Sequence, residues 1–147
     1  SLKTFGAWVS GVDHATIVEL YAESTVAVVP SLYEGFGLPA VEAMACGIPL
    51  IVSDGGALPE VAGEGGVVVP AGDAEALATA MSALLDDPVA SEALGQRARE
   101  RGVNEFSWDV CATRLVHFYR AAMTGGSVGD FLQPAEPLAT QSDVLGC

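Results

Sequence analysis

Two carboxylates set around a glycine loop are the residues whose types and spacing best suit chemistry. Glu34 and Glu42 stand at either end of Glu-Gly-Phe-Gly-Leu-Pro-Ala-Val-Glu, with seven residues between them. Gly35 and Gly37 permit a positive φ or the close approach of another group to the backbone. Pro39 suits the first turn of a helix, where its missing N–H is no loss. Gly47 followed by Pro49 reads as that helix's stop. A loop feeding a helix start presents amides without intrahelical partners and the positive end of a dipole, which together favour an anion. Glu34 precedes the glycines and Glu42 lies one turn into the helix. Carboxylates beside an anion site repel phosphate, so their natural partners are hydroxyls or cations. A ligand carrying both phosphate and hydroxyls satisfies the whole arrangement, and a nucleotide sugar is such a ligand. The alternative is an ordinary strand–loop–helix unit whose glycines only shape a turn.

The flanking elements must hold this loop. Val26, Ala27, Val28 and Val29, bounded by Pro30, form a short apolar run of the kind that makes a strand buried on both faces. Residues 50–52 and 66–69 predict two more such strands. Asp13 is a candidate N-cap for a helix through about residue 24, with Ile17, Leu20 and Tyr21 on its apolar side and His14 solvated. Asp73 predicts a second cap, with Leu77, Met81, Leu84 and Leu85 on one helical face and Pro88 ending it. Another helix is expected over residues 89–101. Its Arg97, Arg99 and Arg101 read as a solvated face rather than a phosphate site, because they lie far along the chain from the glycines. Ser107 is the candidate cap of a last helix with an apolar stripe of Trp108, Cys111, Leu115 and Phe118. Strands alternating with helices imply an α/β fold with a Rossmann-like parallel sheet and helices on both faces.

The motif from Glu34 to Pro49, Glu-Gly-Phe-Gly-Leu-Pro-x-x-Glu-Ala-Met-Ala-x-Gly-x-Pro, closely resembles the donor-binding signature of retaining GT-B glycosyltransferases of the GT4-like group. Residues 4–9 resemble the family's Thr-Phe-x-Gly-x-Val-Ser segment, with Ala7 where glycine is usual. Ser53-Asp54-Gly55-Gly56-Ala57-Leu58-Pro59-Glu60 resembles its Gly-Gly-x-Pro-Glu loop. The resemblance covers residues 4 to about 121, and it implies that the last helix packs across the donor-binding domain with Trp108 and Phe118 in the core rather than as stacking platforms. It implies that Glu42 binds the ribose hydroxyls of a UDP-, GDP- or ADP-sugar. Glu34 would bind hydroxyls of the transferred sugar and act as the catalytic carboxylate near an oxocarbenium-like transition state. The amides of Gly35, Phe36, Gly37 and Leu38 would serve the sugar and the distal phosphate. The backbone at Ala7 and Trp8 would meet the base, unless residues 4–9 are a plain core strand. Asp54 and Glu60 read as turn residues before a short helix. No metal and no separate cofactor are implied.

The chain has 147 residues, six basic and nineteen acidic, for a formal net charge of -13. That balance argues against a nucleic-acid or anionic-membrane surface. No Lys or Arg occurs between Lys3 and Arg97, so a diphosphate at the glycine loop must rely on backbone amides or on a cation from elsewhere. Cys46, Cys111 and Cys147 form no metal spacing and suggest a reducing compartment. No apolar run approaches the roughly 18 residues of a membrane-spanning helix. The expected location is cytoplasmic, peripheral to a membrane only through segments outside this chain.

The family's other parts have no counterpart here. GT-B enzymes pair an acceptor-binding N-terminal domain with the donor-binding C-terminal one, and the donor domain's opening carries a basic pair for the diphosphate. The expectation is an incomplete C-terminal half: residues 1–123 as a partial nucleotide-sugar-binding domain and 124–147 as a disordered tail. In the strand order 3-2-1-4-5-6, the strand at 26–29 would lose a neighbour. Residues 4–9 or a second copy of the chain would cover it, so a homo-oligomer is anticipated. The rival reading is a non-catalytic remnant or partner-dependent domain. An NAD-binding oxidoreductase domain is disfavoured because no Gly-x-Gly-x-x-Gly follows the first strand.

Overall fold

A computed structural model describes residue 6 and residues 9–125 of the chain. The expected strand at residues 4–9, with Ala7 and Trp8, falls almost entirely outside the described residues, as does most of the expected tail at 124–147.

The elements run α1 (His14–Glu23), β1 (Ala27–Val29), α2 (Leu38–Ala45), β2 (Leu50–Ser53), α3 (Leu58–Ala62), a 3-10 turn (Gly63–Gly65), β3 (Gly66–Val69), α4 (Ala74–Asp86), α5 (Pro88–Phe106) and α6 (Trp108–Thr124). The three strands form one parallel sheet in the order β1-β2-β3, with Val28 opposite Ile51 and Ile51 opposite Val67. Parallel neighbours require a crossover, and helices supply both: α2 between β1 and β2, α3 between β2 and β3.

Side chains alternate across a strand, so the central strand feeds two cores. Leu50 and Val52 pack with Val41, Met44, Leu58 and Val61, on the side of α2 and α3. Ile51 points the other way, to Val69, Leu84 and Leu94. The α4 face that joins this second core is Ala76, Leu77, Ala80 and Leu84. Of the expected stripe, Leu77 and Leu84 turn inward, while Met81 and Leu85 are exposed.

Local capping chemistry places the helix starts. Asp13 accepts from the Thr16 amide, Asp73 from those of Glu75 and Ala76, and Asp87 from that of Ala90. Pro88 is the first residue of α5 rather than only a stop for α4, and α5 runs on to Phe106, beyond the expected residue 101. On α1, Ile17 and Tyr21 are half-buried, Leu20 is exposed and His14 is exposed.

Two expectations need correction. Trp108 is 83% exposed and Phe118 46%, not core, and Thr113 is the one buried residue of α6. Periodicity marks an apolar stripe but does not say what covers it; among the described elements α6 packs chiefly against α5. The three arginines of α5 are not simply a solvated face either. Arg99 donates to the Ala45 carbonyl at the end of α2. Arg101 donates to the Val61 and Glu60 carbonyls of α3 at 2.9 and 2.7 Å. Arg97 reaches the Glu64 carbonyl in the 3-10 turn at 3.3 Å. Helix ends leave carbonyls without intrahelical partners and carry the negative pole of the dipole, so guanidinium groups close them.

Candidate functional site

The loop of residues 30–37 leaves the carboxyl end of β1 and delivers the chain to α2. Gly37 is the N-cap residue, with φ 93. A Cβ there would stand 2.6 Å from Leu58 Cδ2 as well as in a strained conformation, so both the backbone and the packing call for glycine. Among the described residues, no backbone carbonyl or side chain accepts from the amides of Gly35, Phe36, Gly37 or Leu38. Those donors therefore remain available at the positive end of α2.

The conformation at Glu34 is fixed from below. The Ser31 hydroxyl donates to Glu34 Oε1 at 3.0 Å. The Ser53 hydroxyl, 1% exposed at the end of β2, donates to the Ser31 carbonyl and accepts from the Gly55 amide at 3.3 Å. The Glu34 carbonyl accepts from the Ala57 amide at 2.9 Å, and Glu34 forms a parallel bridge with Gly56. Gly55 lies so close that a Cβ would meet the Ser31 and Leu32 carbonyl oxygens at 2.7 Å. The glycines of the second loop thus let it lie directly against the first. Asp54 and Glu60 have structural parts. Asp54 accepts from the Ala71 amide at 2.7 Å, and Glu60 lends its carbonyl to Arg101.

Glu42 is half-buried on α2. The Tyr21 hydroxyl, reaching over from α1, lies 3.3 Å from Glu42 Oε2 and 3.2 Å from the Pro39 carbonyl. Burial, then the Glu42 charge, then the hydrogen bond to it push the Tyr21 phenol up to about 12. Phe36, 45% exposed, sets its ring edge-on to Phe106 with centroids 5.7 Å apart. Leu32, Tyr33 and Leu38 are exposed around the same loop.

Glu34, the amides of residues 35–38 and Glu42 therefore sit on one loop–helix unit beyond the carboxyl end of β1. This is the edge at which open α/β sheets bind ligands. The guanidinium groups of Arg97, Arg99 and Arg101 donate instead to carbonyls of the 3-10 turn, α2 and α3. Among the described residues, no group of three or more His, Cys, Asp or Glu is placed to hold a metal ion. Likewise, no described helix is long and apolar enough to cross a membrane. Sequence reasoning did not single out Ser31, Ser53 or the hydroxyl of Tyr21. The Ser-x-x-Glu spacing at 31–34 and the lone polar residue ending the apolar run 50–53 were the available signals.

A parallel sheet with helices on both faces and its polar loops at the carboxyl strand ends defines a Rossmann-like α/β protein. The chain belongs to the glycosyl transferases group 1, whose family model matches residues 7–101, and corresponds to the C-terminal domain of their GT-B fold. It is 45% identical over 118 residues to the MMP alpha-(1->4)-mannosyltransferase of Mycolicibacterium hassiacum, covering 78% of this chain and 28% of that protein. A solved sucrose-phosphate synthase from Thermosynechococcus elongatus superposes with a TM-score of 0.73 at 40% identity, over 82% of this chain and 31% of that one. A solved C-terminal domain of a glycosyl transferase group 1 protein from Francisella tularensis gives 0.61 at 27% identity, over 68% and 51%. The chain thus spans less than a third of the first two relatives it matches.

Proposed function

We propose that this chain is the donor-binding part of a glycosyltransferase that moves a sugar from a nucleotide sugar to an acceptor with retention of configuration. The observation that carries the reading is the loop–helix unit. Four free amides at a helix start lie between two carboxylates, the pairing of anion and hydroxyl recognition that a sugar diphosphate demands. In this reading Glu42 accepts from the ribose hydroxyls and Glu34 from hydroxyls of the transferred sugar. The bond from the anomeric carbon to the distal phosphate breaks with its electron pair going to phosphate. The acceptor oxygen bonds to the same carbon from the same face, and its proton leaves with the diphosphate. Negative charge grows on the departing phosphate, and preorganised amides stabilise it without reorganising. Family membership supports sugar transfer as the reaction class. A thermal-shift screen against UDP-, GDP- and ADP-sugars tests the reading. One donor is expected to raise the melting temperature, since a ligand at a hundred times its Kd adds about 2.7 kcal/mol. No shift with any of the three would sink donor binding by this chain.

A second reading, a binding domain that transfers nothing by itself, is favoured by one specific observation: the chain spans 28% of the mannosyltransferase relative. Catalysis needs an acceptor held against the donor, and such orientation is worth up to roughly 7–11 kcal/mol. Transfer of labelled sugar by the chain alone would exclude this reading. Binding without turnover would favour it.

A further inference from the structure

Among the described residues, Tyr21 is the one side chain that reaches the Glu42 carboxylate from another element. Its hydroxyl has a single proton and two acceptors, the Pro39 carbonyl at 3.2 Å and Glu42 Oε2 at 3.3 Å. The bond therefore ties α1 both to the first turn of α2 and to the carboxylate one turn further on. Its ring packs half-buried beside the α2 core, so a phenylalanine would keep the packing and lose only the hydroxyl. A neutral donor suits a carboxylate that must still accept. It fixes one oxygen without neutralising the charge, and the other oxygen stays free for a ligand hydroxyl. An unheld glutamate would have to be immobilised when the ligand arrives, which weakens binding.

We propose that Tyr21 is a positioning residue whose hydroxyl, bridging the Pro39 carbonyl and Glu42 Oε2, fixes the Glu42 carboxylate for the vicinal diol of a ribose. The inference rests on the reading of Glu42 as the ribose-binding group, and the experiment separates the two. The chain, Tyr21→Phe and Glu42→Gln are titrated calorimetrically with UDP, GDP and ADP and with their 2′-deoxy counterparts, and each variant is melted. For whichever nucleotide binds, Tyr21→Phe is expected to weaken the ribonucleotide about three- to tenfold. The deoxynucleotide loses less, so the preference for ribose shrinks while the melt stays cooperative. Glu42→Gln shrinks the same preference further. If Glu42→Gln shrinks it and Tyr21→Phe leaves it intact, or weakens both nucleotides equally, the positioning role is overturned and the Glu42 reading survives. If Glu42→Gln leaves the preference intact, or no nucleotide binds the unaltered chain, the Glu42 reading falls and the inference with it. Loss of the cooperative melt in Tyr21→Phe would assign the hydroxyl to folding and overturn the proposal.

Discussion

Glu34 and Glu42 are held in different ways, and that difference separates their expected roles. Glu34 is fixed by its own loop, through Ser31 and the buried Ser53; Glu42 is reached from another helix, through Tyr21. Glu42→Gln should therefore weaken nucleoside diphosphate binding, at about 1.5–3 kcal/mol for each charge-assisted bond lost, as calorimetry would measure. Unchanged affinity would refute the ribose assignment. Glu34→Ala, placed in a chain that turns over, should lower kcat/KM with little change in affinity for the bare nucleoside diphosphate; equal losses would move Glu34 from the sugar to the nucleotide. A third expectation concerns Tyr21. Its phenol is raised from 10.0 to about 12 by burial first and Glu42 second. The folded state thus holds its proton more tightly than the unfolded chain. Its contribution to stability is complete below pH 10 and is lost as pH rises towards 12. In Glu42→Gln the phenol should titrate lower than in the unaltered chain yet still above its ordinary value, because burial remains; an unmoved spectrophotometric titration would count against the Tyr21–Glu42 bond.

At the scale of elements, what was legible in the sequence was local. Asp13, Asp73 and Ser107 cap helices within three residues of themselves, so their spacing announced them. The apolar runs named all three strands of the sheet, and the glycine loop with Pro39 named the start of α2. The α5 arginines could not be read, because their acceptors lie 33, 54 and 40 or 41 residues away. The two-loop stack was equally hidden, since Ser53 is 22 residues from the carbonyl it holds. Helical periodicity announced α6 and misjudged the burial of Trp108. Arg101→Ala should lower stability by about 1–2 kcal/mol, because two carbonyls of α3 lose a charged donor at a partly exposed site. Nucleotide affinity should not change. A loss of affinity without a fall in melting temperature would place Arg101 at the ligand instead.

For the whole molecule, charge and apolar surface pull in opposite directions. A formal net charge of -13 disperses copies of the chain. Trp108 at 83% and Met123 at 87% exposed on α6, with β1 paired on one side only among the described residues, draw them together. We expect concentration-dependent association that strengthens as salt screens the like charges, and no sugar transfer by the chain alone. Light scattering over a range of concentrations and salt would decide. A monomer throughout, with measurable transferase activity, would defeat both expectations.

The guanidinium closures of α5 bear on the order in which the protein can be born. A ribosome delivers the strands, both loops and α2 well before residues 97–101, yet those residues hold the ends of α2, α3 and the turn before β3. A nascent chain stopped at the end of β3 carries every residue of the proposed donor loop but lacks the helix that fastens its support. Domains fold as units during synthesis. The seating of α2 beneath the glycines is thus expected to wait until α5 has cleared the exit tunnel.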